Sequence, residues 1–127
     1  MLPIPDIDRT QYMLVIGANP LASNGSIMTV PDVTKRLKAI QKRGGRFVVI
    51  DPRKTETANI ADAHHFIRPG SDAFLLMAMI HTLFAENLVN TGHLSDLLEG
   101  LAEVENTAVG FTPELAEQHT GIKAEEI

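Results

Sequence analysis

Apolar residues fall along this chain in short blocks, and the spacing within them alternates between strand-like and helix-like. Tyr12–Ile16 is a continuous apolar run stopped by Gly17, the pattern of a buried strand. Residues 18–30 are mostly small and polar and predict a loop. Pro31 fits the first turn of a helix, where its missing N–H costs nothing. Val33, Leu37 and Ile40 follow at helical spacing, with Lys35, Arg36, Lys38, Gln41 and Lys42 facing outward. Gly44 and Gly45 predict the end of that helix. Residues 47–50 form a second strand-like run, stopped by Asp51 and Pro52. Residues 55–61 predict a short helix, and residues 65–68 a third strand closed by Pro69 and Gly70. Ser71 suits the N-cap of the next helix and Asp72 its first turn. That helix is expected over residues 72–88. It is apolar round most of its circumference (Phe74, Leu75, Leu76, Met77, Met79, Ile80, Leu83, Phe84), which predicts burial.

Beyond Asn90, Thr91 and Gly92 the pattern is helical and weaker, with short helices expected at residues 93–98, 104–108 and 113–119. Thr112 before Pro113 is a cap followed by proline at the first helical position, and Thr120 and Gly121 mark that helix's end. Residues 122–127 start a charged, helical-looking segment that stops after one turn. So short a helix has little to hold it, which predicts a domain excised from a longer chain. Strand, helix, strand, short helix, strand, long helix is an α/β order. It predicts a single domain over residues 1–127, a small parallel Rossmann-like sheet flanked by helices with a helical C-terminal part.

In such sheets ligands bind outside the carboxyl ends of the strands. Three ends are available, at Gly17-Ala18-Asn19-Pro20, Asp51-Pro52-Arg53 and Pro69-Gly70-Ser71-Asp72. Parallel strands would put all three on one edge. Asp51 stands where dinucleotide-binding folds use a carboxylate to accept ribose hydroxyls; the competing reading is a cap of the Asp-Pro turn. Asp72 either interacts with a helix dipole or accepts the N1–H and exocyclic amine of guanine, with Gly70 allowing close approach of the backbone. Ser23, Ser26 and loop N–H groups suit a diphosphate, and Arg53 and Lys54 either neutralise phosphate or are solvated loop charges. Gly17 stands alone until Gly25, so the glycine spacing of a nicotinamide site is missing.

Composition narrows the partners. The net charge is −5, which disfavours nucleic acid or an anionic membrane as a non-specific partner. No cysteine is present, so this chain holds no disulfide, iron–sulfur cluster or thiolate metal site; such a composition fits the cytoplasm. The longest apolar stretch, residues 73–85, is interrupted by His81 and Thr82 and is too short for a bilayer, and no signal-peptide pattern precedes it. His64 and His65, adjacent on a strand, point to opposite faces and suit no shared metal ion. His81 reads as a satisfied core side chain. No nucleophile triad or carboxylate pair emerges from the spacing.

Together, "VIGANPLAS", "RGGRFVVIDPRKTETANIADAHHFIRPGSDAFLLMAMIH" and "FTPELAEQHTGIKAEEI" resemble the molybdopterin oxidoreductases, the bis-molybdopterin guanine dinucleotide enzymes typified by formate dehydrogenase, nitrate reductase and dimethyl sulfoxide reductase. The likeness is strongest to the formate dehydrogenase-like branch and runs from about Tyr12 to Ile127. It implies a central α/β domain that cradles the guanosine end of one cofactor half. By that resemblance the Asn19 loop approaches the phosphates, Asp51 takes the ribose and Asp72 reads guanine. Gly17, Pro20, Ser23, Arg53, Gly70 and Ser71 stand beside them. Many relatives carry a histidine–proline pair after the Asn-Pro motif, where this loop reads Ser23-Asn24-Gly25-Ser26. The family's ligand to molybdenum or tungsten and its iron–sulfur cysteines lie upstream of such a domain, so the resemblance also implies partnership with further domains of the same polypeptide and no activity for this chain alone.

Two other readings compete. Similar domains act as structural scaffold in the large iron–sulfur subunit of respiratory NADH–quinone oxidoreductase; Asp51, Arg53 and Asp72 together favour cofactor binding instead. An NAD-binding dehydrogenase domain is disfavoured by the missing glycine pattern.

Overall fold

The computed structural model describes residues 4–26 and 28–127; Met1, Leu2, Pro3 and Ile27 lie outside the described residues, the last within the loop expected over 18–30. The chain forms two compact units that meet in sequence between Phe66 and Ile67.

The N-terminal unit is a three-stranded parallel sheet in the order β1-β2-β3, with β1 at Tyr12–Ile16, β2 at Arg46–Ile50 and β3 at Ala63–His65. β1 and β2 run in register from Tyr12 against Arg46 to Ile16 against Ile50. Parallel neighbours require crossovers; α1 (Val33–Lys42) and α2 (Glu56–Ile60) supply them. Phe47, Val48, Val49 and Ile50 are all buried, as expected of a central strand covered on both faces. Val33, Leu37 and Ile40 of α1 join Phe47, Val49 and Val15 in the core. Arg43 holds the N-terminal segment by donating to the carbonyls of Ile7 (2.7 Å) and Thr10 (2.6 Å).

Local chemistry explains the element ends. Gly44 at φ +84° closes α1: its N–H donates to Gln41 O and that of Gly45 to Ile40 O, a complete Schellman pair. At the other end Pro31 is not in the first turn, because Asp32 takes a left-handed conformation (φ +53°) and α1 starts at Val33. The third strand is also displaced, to residues 63–65 from the expected 65–68. Its ladder ends where β2 ends: Asp51 N donates to His65 O at 3.2 Å, and no further strand residue remains to pair.

The C-terminal unit is helical. α3 (Asp72–Ala85) packs against α4 (Leu101–Ala108) and α5 (Pro113–Thr120), with 3₁₀ turns at Gly92–Leu97 and Ala124–Glu126. α3 stops three residues before the expected Leu88, because Asn87 adopts φ +56° and lets Leu88 N donate to Leu83 O. Uniform hydrophobicity also overstates its burial. Leu75 and Ala78 are buried, whereas Leu76 is 44% and Leu83 43% exposed. His119 stacks on Phe74 with ring centroids 3.8 Å apart, and Phe111 flanks the same ring. Thr112 caps α5 by accepting from Leu115 N. Its hydroxyl also holds the Glu114 carboxyl below the usual carboxylate range.

Candidate functional site

Parallel strands in register bring the loops after β1 and β2 to the same sheet edge. The first begins at Gly17, whose N–H still donates to Ile50 O at 2.9 Å and whose φ is +60°. Nothing lies within 4 Å of where a Cβ would stand on Gly17, so the space beside it is open. From Pro20 the chain winds into tight turns. The N–H groups of Ala22 and Ser23 donate to Asn19 O, Asn24 to Leu21 O, Gly25 to Pro20 O and Ser26 to Ser23 O. Gly25 is required here: a Cβ would stand 2.3 Å from Val30 O. These bonds, with one from Leu21, occupy the donors from Leu21 to Ser26, whereas no described residue accepts from the N–H of Ala18 or Asn19 at the loop's start. A groove of about 410 Å³ runs along β1 and this loop, lined by Leu14, Ile16, Gly17, Asn19, Ser23 and Met28 among others. Ser23 and Ser26 are exposed, and Ser23 Oγ reaches only the carbonyl of Pro20, at 3.4 Å.

The half-buried Asn19 side chain reaches across to α2. Its Nδ2 donates to Glu56 Oε2 at 2.8 Å, and its Oδ1 accepts from Thr57 Oγ1 at 2.6 Å. The same Thr57 oxygen accepts from Leu21 N at 3.1 Å. Thr57 is fully buried. The Asn19 amide holds the Glu56 carboxyl below its ordinary value, with the Arg53 charge adding to the effect. Neither Glu56 nor Thr57 stood out as a site residue in the sequence. The signal was present in the Thr55-Glu56-Thr57 stretch: Thr55 is the N-cap of α2, accepting from Ala58 N, which leaves a second threonine inside a helix where threonine is a poor former without a tertiary partner.

Asp51 is 8% exposed at the end of β2. Its Oδ1 accepts from Arg53 N at 2.8 Å, closing a turn around Pro52. Its main-chain carbonyl lies 3.1 Å from His64 Nε2, which ties the turn to β3. The second carboxylate oxygen has no hydrogen bond to a described residue, and none of the described buried side-chain polar atoms lacks a partner, so that oxygen reaches solvent. Arg53 is exposed, with its guanidinium in no hydrogen bond or ion pair to a described residue. The turn-capping and ligand-binding readings of Asp51 thus apply to different oxygens of one carboxylate.

The remaining sequence candidates belong to the C-terminal unit. With β3 ending at His65, residues 69–72 are not a strand end; they lead into α3. Gly70 has φ +81° and, like Gly17, open space where a Cβ would be. Ser71 is the N-cap by position, but its hydroxyl donates to Arg68 O at 2.6 Å and caps no helix N–H. Asp72 is partly exposed in the first turn, without a hydrogen bond to a described residue. His81 donates from Nδ1 to Ala108 O, 3.2 Å away, as a satisfied side chain would. No helix among the described residues is long and apolar enough to cross a membrane.

Comparison with known proteins places the chain in a family. The family model for molybdopterin oxidoreductase matches residues 2–122. The chain is 38% identical over 124 residues to formate dehydrogenase H of Escherichia coli, covering 98% of this chain and 16% of that protein. It is 32% identical over 122 residues to the F420-dependent formate dehydrogenase 1 subunit alpha of Methanococcus maripaludis, covering 96% and 17%. Among solved structures, acetylene hydratase from Pelobacter acetylenicus superposes with a TM-score of 0.81 at 28% identity, over 97% of this chain and 16% of that one. The chain therefore spans about a sixth of the length of the relatives it matches.

Proposed function

Because this chain belongs to the molybdopterin oxidoreductase family, we propose that it is the part of a molybdenum or tungsten enzyme that cradles the guanosine diphosphate end of one molybdopterin guanine dinucleotide. The observation that carries this reading is the pairing at the carboxyl edge of the sheet: an Asp51 carboxylate oxygen at the end of β2 and two N–H groups, Ala18 and Asn19, at the end of β1, none of them hydrogen-bonded to a described residue. The donor set suits the group. A carboxylate oxygen accepts ribose hydroxyls, backbone N–H groups and the Arg53 guanidinium match phosphate oxygens, and Gly17 leaves room for them to approach. Asp72, with neither oxygen hydrogen-bonded to a described residue, is assigned the guanine N1–H and amine, and Gly70 and Ser71 shape the turn before it.

When bound, the cofactor supplies the metal and its redox chemistry; the residues of this chain bind and orient. Relatives sharing this domain are named for formate oxidation, thiosulfate reduction, dimethyl sulfoxide reduction and acetylene hydration. A domain common to such different reactions suits a cofactor-holding role. We assign the whole protein to the formate dehydrogenase-like branch as an oxidoreductase, with iron–sulfur and metal ligands in other domains of one polypeptide, these 127 residues acting as one domain, and a cytoplasmic setting. The scaffold alternative predicts no nucleotide affinity. Calorimetric titration of the chain with GDP and ADP separates the two: saturable GDP binding, tighter than ADP, supports the cofactor role, and no heat with either nucleotide supports the scaffold.

A further inference from the structure

The Asn19 amide has a carbonyl oxygen and two N–H donors to offer. Its oxygen takes the Thr57 hydroxyl at 2.6 Å, and its nitrogen is held at 2.8 Å by Glu56. An ionised carboxylate only accepts, so Glu56 also dictates which way round the amide sits. The Thr57 hydroxyl, having donated to Asn19, accepts from Leu21 N. One buried hydroxyl thus ties both the side chain before Pro20 and the main chain after it to α2, on the far side of 36 to 38 residues of sequence.

From this arrangement we infer that Thr57 and Glu56 are positioning residues for the phosphate loop, and that Asn19 meets a nucleotide diphosphate through its backbone N–H, with Ala18, while its side chain serves as the clamp. The inference rests on the proposed function and deepens it. The donor inventory supports it: every N–H from Leu21 to Ser26 is occupied within the N-terminal unit, whereas those of Ala18 and Asn19, next in sequence to the open space at Gly17, donate to no described residue. Two adjacent N–H groups form a useful anion site only if their peptide planes are fixed. Without the clamp the segment between β1 and the first turn loses its hydrogen bonds to α2.

The test follows GDP binding to the 127-residue chain by amide NMR in wild type, Thr57→Val, Thr57→Ser and Glu56→Ala. Wild type should show GDP-induced shifts at the Ala18 and Asn19 backbone amides, with the Asn19 side-chain amide little changed. Thr57→Val, similar in shape but without the hydroxyl, should weaken GDP about tenfold, the worth of roughly one hydrogen bond. Thr57→Ser restores the hydroxyl and should stay within about twofold of wild type, a rescue that a purely steric role would not give. Glu56→Ala, at an exposed position, should weaken GDP without unfolding the chain, so the inference stays open to test if Thr57→Val fails to fold. Wild-type affinity in both Thr57→Val and Glu56→Ala would overturn the inference and leave the proposed function standing, as would GDP shifts confined to the Asn19 side chain. Absence of GDP binding by wild type would overturn the proposed function and the inference together.

Discussion

Asp51 Oδ1 accepts a hydrogen bond from Arg53 N at 2.8 Å across Pro52, and the other oxygen of the same carboxylate has no partner among the described residues. The two oxygens can be separated by mutation. In Asp51→Asn the amide oxygen still closes the turn, so stability should change little. The outward group becomes a donor, and a charge-assisted bond of about 1.5–3 kcal/mol is lost, weakening GDP by about ten- to a hundredfold. Asp51→Ala should lose the turn bond as well, lowering stability by about 1 kcal/mol more. Chemical denaturation beside GDP titration checks both; equal GDP affinity in wild type and Asp51→Asn would reduce Asp51 to a turn cap.

Asp72 should govern base selectivity. Guanine presents two donors to a carboxylate, and adenine does not in that pattern. Asp72→Asn and Asp72→Ala should both lower the preference for GDP over ADP, while the lost helix-dipole interaction costs only a few tenths of a kcal/mol. A small fall in melting temperature with the GDP:ADP ratio unchanged would make Asp72 a helix-terminus charge and nothing more.

The Asn19–Glu56 bond should break only in acid. Asn19 and the Glu56 main-chain N–H hold this carboxyl below its ordinary 4.5 against the opposing effect of desolvation, and Arg53 assists. A carboxylate depressed in the folded state contributes stability above its unfolded pKa and loses that contribution as pH falls through its folded pKa. The Asn19 side-chain amide resonances should therefore shift in acid with a midpoint below pH 4.5. Glu56→Gln should remove that transition; an unchanged acid transition in the variant would assign it to another group.

Gly17 and Gly25 should fail differently when changed to alanine. Both have positive φ, +60° and +71°, so each variant bears a backbone cost of about 1–2 kcal/mol. Only at Gly25 does the new methyl also collide, 2.3 Å from Val30 O, whereas at Gly17 it enters open space. Gly25→Ala should lose clearly more stability, and Gly17→Ala should lose disproportionately more GDP affinity. Equal losses of both properties in the two variants would contradict the open space being ligand space.

The purified 127-residue chain should show no formate oxidation with an artificial electron acceptor. It has no cysteine and, among the described residues, no group of three side chains able to hold a metal. Turnover above the buffer blank, by a preparation free of the longer enzyme, would refute the assignment of chemistry to other domains.

Much of this protein is decided by local sequence. The apolar blocks at Tyr12–Ile16 and Arg46–Ile50 are strands because period and β-branching agree with burial, and their parallel order follows from the helix between them. Gly44 and Gly45, and Thr112 with Pro113, end and start helices through their own backbone chemistry. Asp51 and Asn19 were legible as candidates because turn formers at strand ends collect at one sheet edge. What tertiary structure alone decided depends on partners distant in sequence. β3 ends at His65 because β2 runs out of residues to pair. Leu76 and Leu83 stay exposed although α3 packs against α4 and α5, its contacts to them running through Phe74 and His81. Ser71 turns to Arg68 rather than to the helix it precedes. Above all, no period or propensity relates Asn19 to Thr57. A hydrogen bond needs its two atoms within about 3 Å, and only the packing of α2 beside the loop brings this pair to 2.6 Å.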